Sequence, residues 1–141
     1  MIPKDVTDLS VEFFSSILEC PVAAFTVESV SFQGNCSVVN RVRIDFVGGL
    51  TFPPRWLYLK FALPASDGET RNVSFNRRLL LEAGVYRKEV AFYRWNRNSG
   101  ALKGVIPEVL YAEIEPEGGL DHFLLVMAES GEALNQRKGC S

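Results

Sequence analysis

Apolar residues recur at helical spacing near the start of the chain. Leu9, Phe13, Phe14, Ile17 and Leu18 share one face over residues 8–19. Thr7 or Asp8 can cap this predicted helix, with Glu12 in its early turns and Pro21 just past its end. The pattern then switches to period two. Residues 25–32 set Phe25 and Val27 against Thr26 and Glu28. Residues 37–47 set Val39, Arg41, Arg43 and Asp45 against Val38, Val42, Ile44 and Phe46. Gln33-Gly34-Asn35 punctuates the first pair of strands, and Gly48-Gly49 with Pro53-Pro54 precedes a third strand at 55–63. A polar stretch, 64–80, leads to the strongest helical pattern, 82–97. Residues 108–115 and 121–128 then form a closing hairpin turned at 116–119. Helix, three strands, helix, two strands predicts an α+β fold. Its sheet is five-stranded and antiparallel, with one helix packed across it and a further helix at the N-terminus.

Composition narrows the class of protein more than the fold. At 47% hydrophobic and 23% charged over 141 residues, the chain can bury a core and is neither disordered nor of low complexity. A net charge of −2 leaves no basic excess to attract a nucleic acid. The longest apolar run, Phe123 to Ala128, is far short of the roughly 20 residues of a membrane helix, and residues 1–5 do not read as a secretory signal. Cys20, Cys36 and Cys140 are scattered and odd in number. That predicts free thiols, no zinc site and a cytoplasmic setting.

Three features carry candidate chemistry. Lys60 lies in an otherwise apolar strand, on the face of Trp56, Tyr58 and Ala62. An amine there either reaches water, guards an edge strand or finds an acid. Glu89 interrupts an aromatic stripe, with Val85 and Tyr86 below it and Phe92 and Tyr93 above. It either borders the stripe and pairs on the surface or enters the same site. The turn Gly34-Asn35-Cys36-Ser37 is either a plain hairpin or a set of backbone N–H groups facing phosphate. Other charges read as solvated: Glu113, Glu115 and Glu117 on a strand, and Arg87, Lys88, Arg94 and Arg97 on a helix. His122, the one histidine, reads as a strand residue without a catalytic role. The order of parts matters more than any one of them. A glycine turn between two strands, a lysine on the third, a glutamate on the next helix and two closing strands is the order of a protein-kinase-type nucleotide lobe. There a carboxylate orients a flexible amine and keeps it charged.

Leu57-Tyr58-Leu59-Lys60, Tyr86-Arg87-Lys88-Glu89-Val90-Ala91-Phe92-Tyr93 and Ile106-Pro107-Glu108-Val109-Leu110-Tyr111-Ala112 carry a resemblance. The chain resembles the N-terminal lobe of the aminoglycoside-phosphotransferase and choline-kinase-like superfamily, nearest its small-molecule phosphotransferase branch, which includes ecdysteroid-kinase-like proteins. Leu124 to Glu129 looks like the strand entering that family's hinge. Ala128 and Glu129 stand where the family has two acids, and Ser130 stands in place of a leucine. Of the family's phosphate loop only Gly34 is present.

The resemblance implies ATP as the ligand. Lys60 would hold phosphates and Glu89 would orient Lys60. Gly34, Asn35 and Ser37 would cover the phosphates, Met127, Ala128 and Glu129 would flank adenine through their backbone, and Tyr58 would stack under it. It divides the chain into an N-terminal helix (1–22), a kinase-like lobe (23–128) and a hinge with linker (129–141). The family's catalytic aspartates and its magnesium site belong to a second lobe, so this chain is expected to hold no catalytic or metal-binding residue. The γ-phosphate would pass to the hydroxyl of a small substrate only in the two-lobed enzyme. Two other readings stay open. One is a non-catalytic interaction module of the same fold. The other is an unrelated α+β ligand-binding domain, which would place Lys60 and Glu89 more than about 8 Å apart, beyond the roughly 4–6 Å of strong pairing.

Overall fold

A computed structural model describes residues 2–28, 37–48, 53–62, 84–117 and 120–129. Five strands, β1 (Val22–Glu28), β2 (Ser37–Phe46), β3 (Arg55–Ala62), β4 (Val109–Glu117) and β5 (Leu120–Ala128), form one sheet in the order β1-β2-β3-β5-β4. Every neighbouring pair is antiparallel. Among the described residues, two α-helices, α1 (Val11–Leu18) and α2 (Val85–Ser99), accompany the sheet in an α+β architecture.

The two-residue period of the strands sorts side chains into two cores. On one face, Val42, Leu57, Leu59, Leu124 and Val126 are buried and pack with Phe14 and Leu18 of α1. On the other, Ala62, Phe123 and Leu125 pack with Tyr86 and Val90 of α2. Tyr86 stacks on Phe123 with centroids 4.5 Å apart. Helix α2 covers this second face mainly over β4 and β5, reaching β3 at Lys60 and Ala62. The residues of β2 and β3 on the same face, among them Arg41, Arg43, Trp56 and Tyr58, remain partly exposed.

The N-terminal segment differs from the sequence pattern in its caps. Asp5 caps a single 3₁₀ turn at Val6–Asp8, and the α-helix starts only at Val11. Its N-cap is Ser10, whose Oγ accepts from the Phe13 N–H at 3.1 Å, in place of Thr7 or Asp8. Ser10→Ala is expected to cost about 1 kcal/mol of stability, read from the midpoint of urea unfolding. The helix is not a separate unit, because Phe14 and Leu18 lie inside the first core. Strand β1 begins at Val22, three residues before the predicted start at 25. Its predicted end, 29–32, lies outside the described residues.

Cys20 corrects another expectation: it is buried and disulfide-bonded, not a free thiol. Spacing along the chain does not report which sulfurs meet in space. Cys36 and Cys140 lie outside the described residues. Among the described residues no helix is long and apolar enough to cross a membrane. Helix α2 lies between Gly84 (φ 67°) and Gly100 (φ 69°), both left-handed, where glycine is the least strained residue.

Candidate functional site

The site lies on the second face of the sheet, and its rows follow from the strand register. Lys60 is opposite Val39 on β2 and Leu125 on β5, and Leu125 is in turn opposite Ala112 on β4. The next row is Arg41, Tyr58, Met127 and Val109. Residues two apart on a strand are about 6.6 Å apart, so the Lys60 and Tyr58 rows are adjacent on one surface.

Helix α2 brings Glu89 to Lys60. At about 100° per residue, Tyr86, Val90 and Tyr93 share the arc facing the sheet, and Glu89 falls on the flank toward β3. The Lys60 ammonium donates to Glu89 Oε1 at 2.5 Å. Both side chains are about three-quarters buried, at 26% and 21% exposed. The separation of over 8 Å that an unrelated ligand-binding fold would give is not observed. The carboxylate fixes the position of the amine, and this hydrogen bond uses one of the three ammonium donors.

A pocket of about 260 Å³ on the same face is lined by Val39, which lies opposite Lys60, and by Tyr58, Pro107, Met127 and Ala128. Three of the predicted base-flanking residues, Tyr58, Met127 and Ala128, are therefore together. The fourth, Glu129, has another role. Its Oε1 accepts from Arg41 Nη2 at 2.8 Å and from Arg41 Nε at 3.2 Å, and the Tyr58 hydroxyl lies 3.4 Å away. Arg41 also reaches Glu28 Oε2 at 3.2 Å, and its guanidinium carbon stands 3.7 Å over the Trp56 ring. Desolvation draws the Arg41 guanidinium down, but its hydrogen bonds to Glu129 and Glu28 more than offset this and hold it above its ordinary value.

The backbone donors expected to meet adenine are already engaged. The Ala128 N–H donates to Glu108 O at 2.9 Å and the Glu129 N–H to Trp56 O at 3.3 Å. Ala128 thus serves as pocket wall, and Glu129 as the partner of Arg41. Gly34 and Asn35 lie outside the described residues. Ser37, assigned to the same turn, is the first residue of β2, opposite Ala62, and is buried. Among the described residues no group of acids, histidines and cysteines could hold a metal ion.

Three charges read as solvated, Arg94, Glu113 and Glu115, also have partners. Arg94 bonds to β4 through the Ala112 carbonyl and the Glu113 carboxylate, and Glu115 accepts from the Ile2 N–H. Arg41 and Trp56 escaped the sequence reading as a pair. Their shared face was visible in the alternation, but the partner Glu129 lies 88 residues from Arg41. His122 is a strand residue opposite Glu115, as predicted.

In comparisons with known proteins, the chain matches no family model, no curated protein and no solved structure.

Proposed function

We propose that this chain is the ATP-binding lobe of a small-molecule phosphotransferase, of the aminoglycoside-phosphotransferase and choline-kinase-like kind. The observation that carries the reading is the Lys60–Glu89 pair, held at 2.5 Å on one face of the sheet beside the pocket of Tyr58 and Met127. The pocket's lining suits a flat, largely apolar ring. Tyr58 and Met127 are directly opposite on neighbouring strands, and Val39 and Pro107 complete the wall. The row spacing sets Lys60 about 6.6 Å further along the same face, on the side where the charged end of a nucleotide would extend. The bound nucleotide would supply the γ-phosphoryl group. Lys60 would neutralise phosphate charge, and Glu89 would keep the amine extended and in place. None of these roles depends on a magnesium ion, whose ligands on this reading belong with a second lobe. The acceptor hydroxyl and the catalytic base belong, on this reading, to a second lobe.

The test is thermal unfolding with a magnesium-independent ATP analogue. The analogue is expected to raise the midpoint of the parent chain, by an amount that grows with the logarithm of its concentration above Kd. Lys60→Ala is expected to weaken binding by about 10- to 100-fold, the worth of a charge-assisted hydrogen bond of about 1.5–3 kcal/mol. Equal stabilisation of parent and variant, or of neither, overturns the reading.

A further inference from the structure

Helix α2 is pinned to the sheet on both flanks. Glu89 and Arg94 are five residues apart, about 140° around the axis, so they straddle the apolar arc of Tyr86, Val90 and Tyr93. On the β3 side Glu89 holds Lys60. On the β4 side Arg94 Nε donates to the Ala112 carbonyl at 2.9 Å, while its Nη2 pairs with Glu113. The two anchor points on the sheet belong to one row, since Lys60 faces Leu125 and Leu125 faces Ala112. Strands in a sheet are about 4.8 Å apart, so the anchors stand roughly 10 Å from each other. Val90, fully buried, lies between the two flanks.

Such an arrangement fixes the roll of the helix, which apolar contacts alone leave soft. Side-chain tips lie about 5–6 Å from a helix axis, so a roll of about 20° displaces them by about 2 Å. That displacement would carry Glu89 out of hydrogen-bond range of Lys60. Strand β4 is a sheet edge, where outward carbonyls have no strand to pair with, and the planar fork of Arg94 serves one such carbonyl and the neighbouring carboxylate together. We propose that Arg94 is a positioning residue that sets the roll of α2 and thereby places Glu89 on Lys60. Its significance for nucleotide binding rests on the reading of Lys60 and Glu89 given above.

The experiment is a double-mutant cycle of Lys60→Met and Glu89→Gln, measured by urea unfolding in the parent, Arg94→Ala and Arg94→Lys backgrounds. In the parent the pair is expected to couple by about five-fold in the unfolding constant, at the strong end for partly exposed pairs. In Arg94→Ala the coupling is expected to fall below about two-fold. In Arg94→Lys, where one amine replaces a fork with two acceptors, it is expected to lie between. Coupling unchanged in Arg94→Ala, with all four members equally destabilised, overturns the proposal, as does a parent with no coupling. Where Arg94→Ala does not fold, Glu113→Gln takes its place, with a partial loss of coupling expected and unchanged coupling overturning the proposal. The cycle needs no nucleotide. A chain that ignores the ATP analogue yet shows Arg94-dependent coupling rejects the nucleotide reading and keeps the role of Arg94; the converse result does the opposite.

Discussion

Phe14→Ala is expected to lower the free energy of unfolding by about 3–5 kcal/mol, the range for emptying a fully buried aromatic site. Phe14 has no exposed surface and sits within 5.4 Å of the Phe13 ring and 5.1 Å of the Phe25 ring, centroid to centroid. With Leu18 it joins α1 to the first core, where close packing leaves the surroundings little freedom to collapse into the space left. Against the usual margin of about 5–15 kcal/mol, a loss of this size leaves a large part of the population unfolded on modest warming. Urea unfolding measures it directly. Phe13→Ala, at a half-buried neighbour, should cost less. A loss below about 1 kcal/mol for Phe14→Ala would mean that α1 is not part of the folded unit.

The second large effect is expected for Val90→Asp. Val90 is fully buried in the cluster of Tyr86, Ala112, Phe123 and Leu125, and the cations on its two flanks, Lys60 and Arg94, are already paired with Glu89 and Glu113. The charge cannot be buried unpaired without a cost of several kcal/mol, so the helix must lift. The first core lies on the opposite face and does not depend on α2. Amide exchange should therefore accelerate throughout α2 while β2 and β3 keep their protection. Binding of the ATP analogue should be lost with the Lys60–Glu89 contact. Ala91→Asp, one residue away on the exposed side, should be neutral within about 0.5 kcal/mol. Global unfolding of Val90→Asp, with all amides exchanging together, would show instead that the two cores form a single cooperative unit.

How much of this was legible beforehand depended on whether a residue's partner shared its pattern. Strands β2 and β3 were readable almost to the residue, because each alternates between two buried or half-buried faces. Lys60 and Glu89 stood out because each breaks an apolar stripe, and a charge in such a place needs a partner. The start of α1 was misplaced because Asp5, Thr7, Asp8 and Ser10 are all plausible caps. Only the hydrogen bonds show that Asp5 serves the 3₁₀ turn and Ser10 the helix. Arg94 looked solvated because nothing in a sequence marks which strand will be an edge and which carbonyl will face outward. The Arg41–Glu129 contact and the disulfide at Cys20 were illegible for the same reason: both depend on chain segments meeting in space.

The alternation of β3 has a consequence for how reliably the sheet assembles. Leu57, Leu59 and Phe61 enter the core under α1, while Trp56, Tyr58 and Lys60 face the other way. A slip of β3 by a single residue would exchange these two sets at once. The ammonium of Lys60 would be driven among Phe14, Val42 and Leu124, and two leucines and a phenylalanine would be turned out of that core. Each wrong pairing therefore buries a charge and exposes a hydrophobe in the same step. The lysine proposed to hold phosphate also acts, during folding, as a proofreading mark that admits only one alignment of the strand.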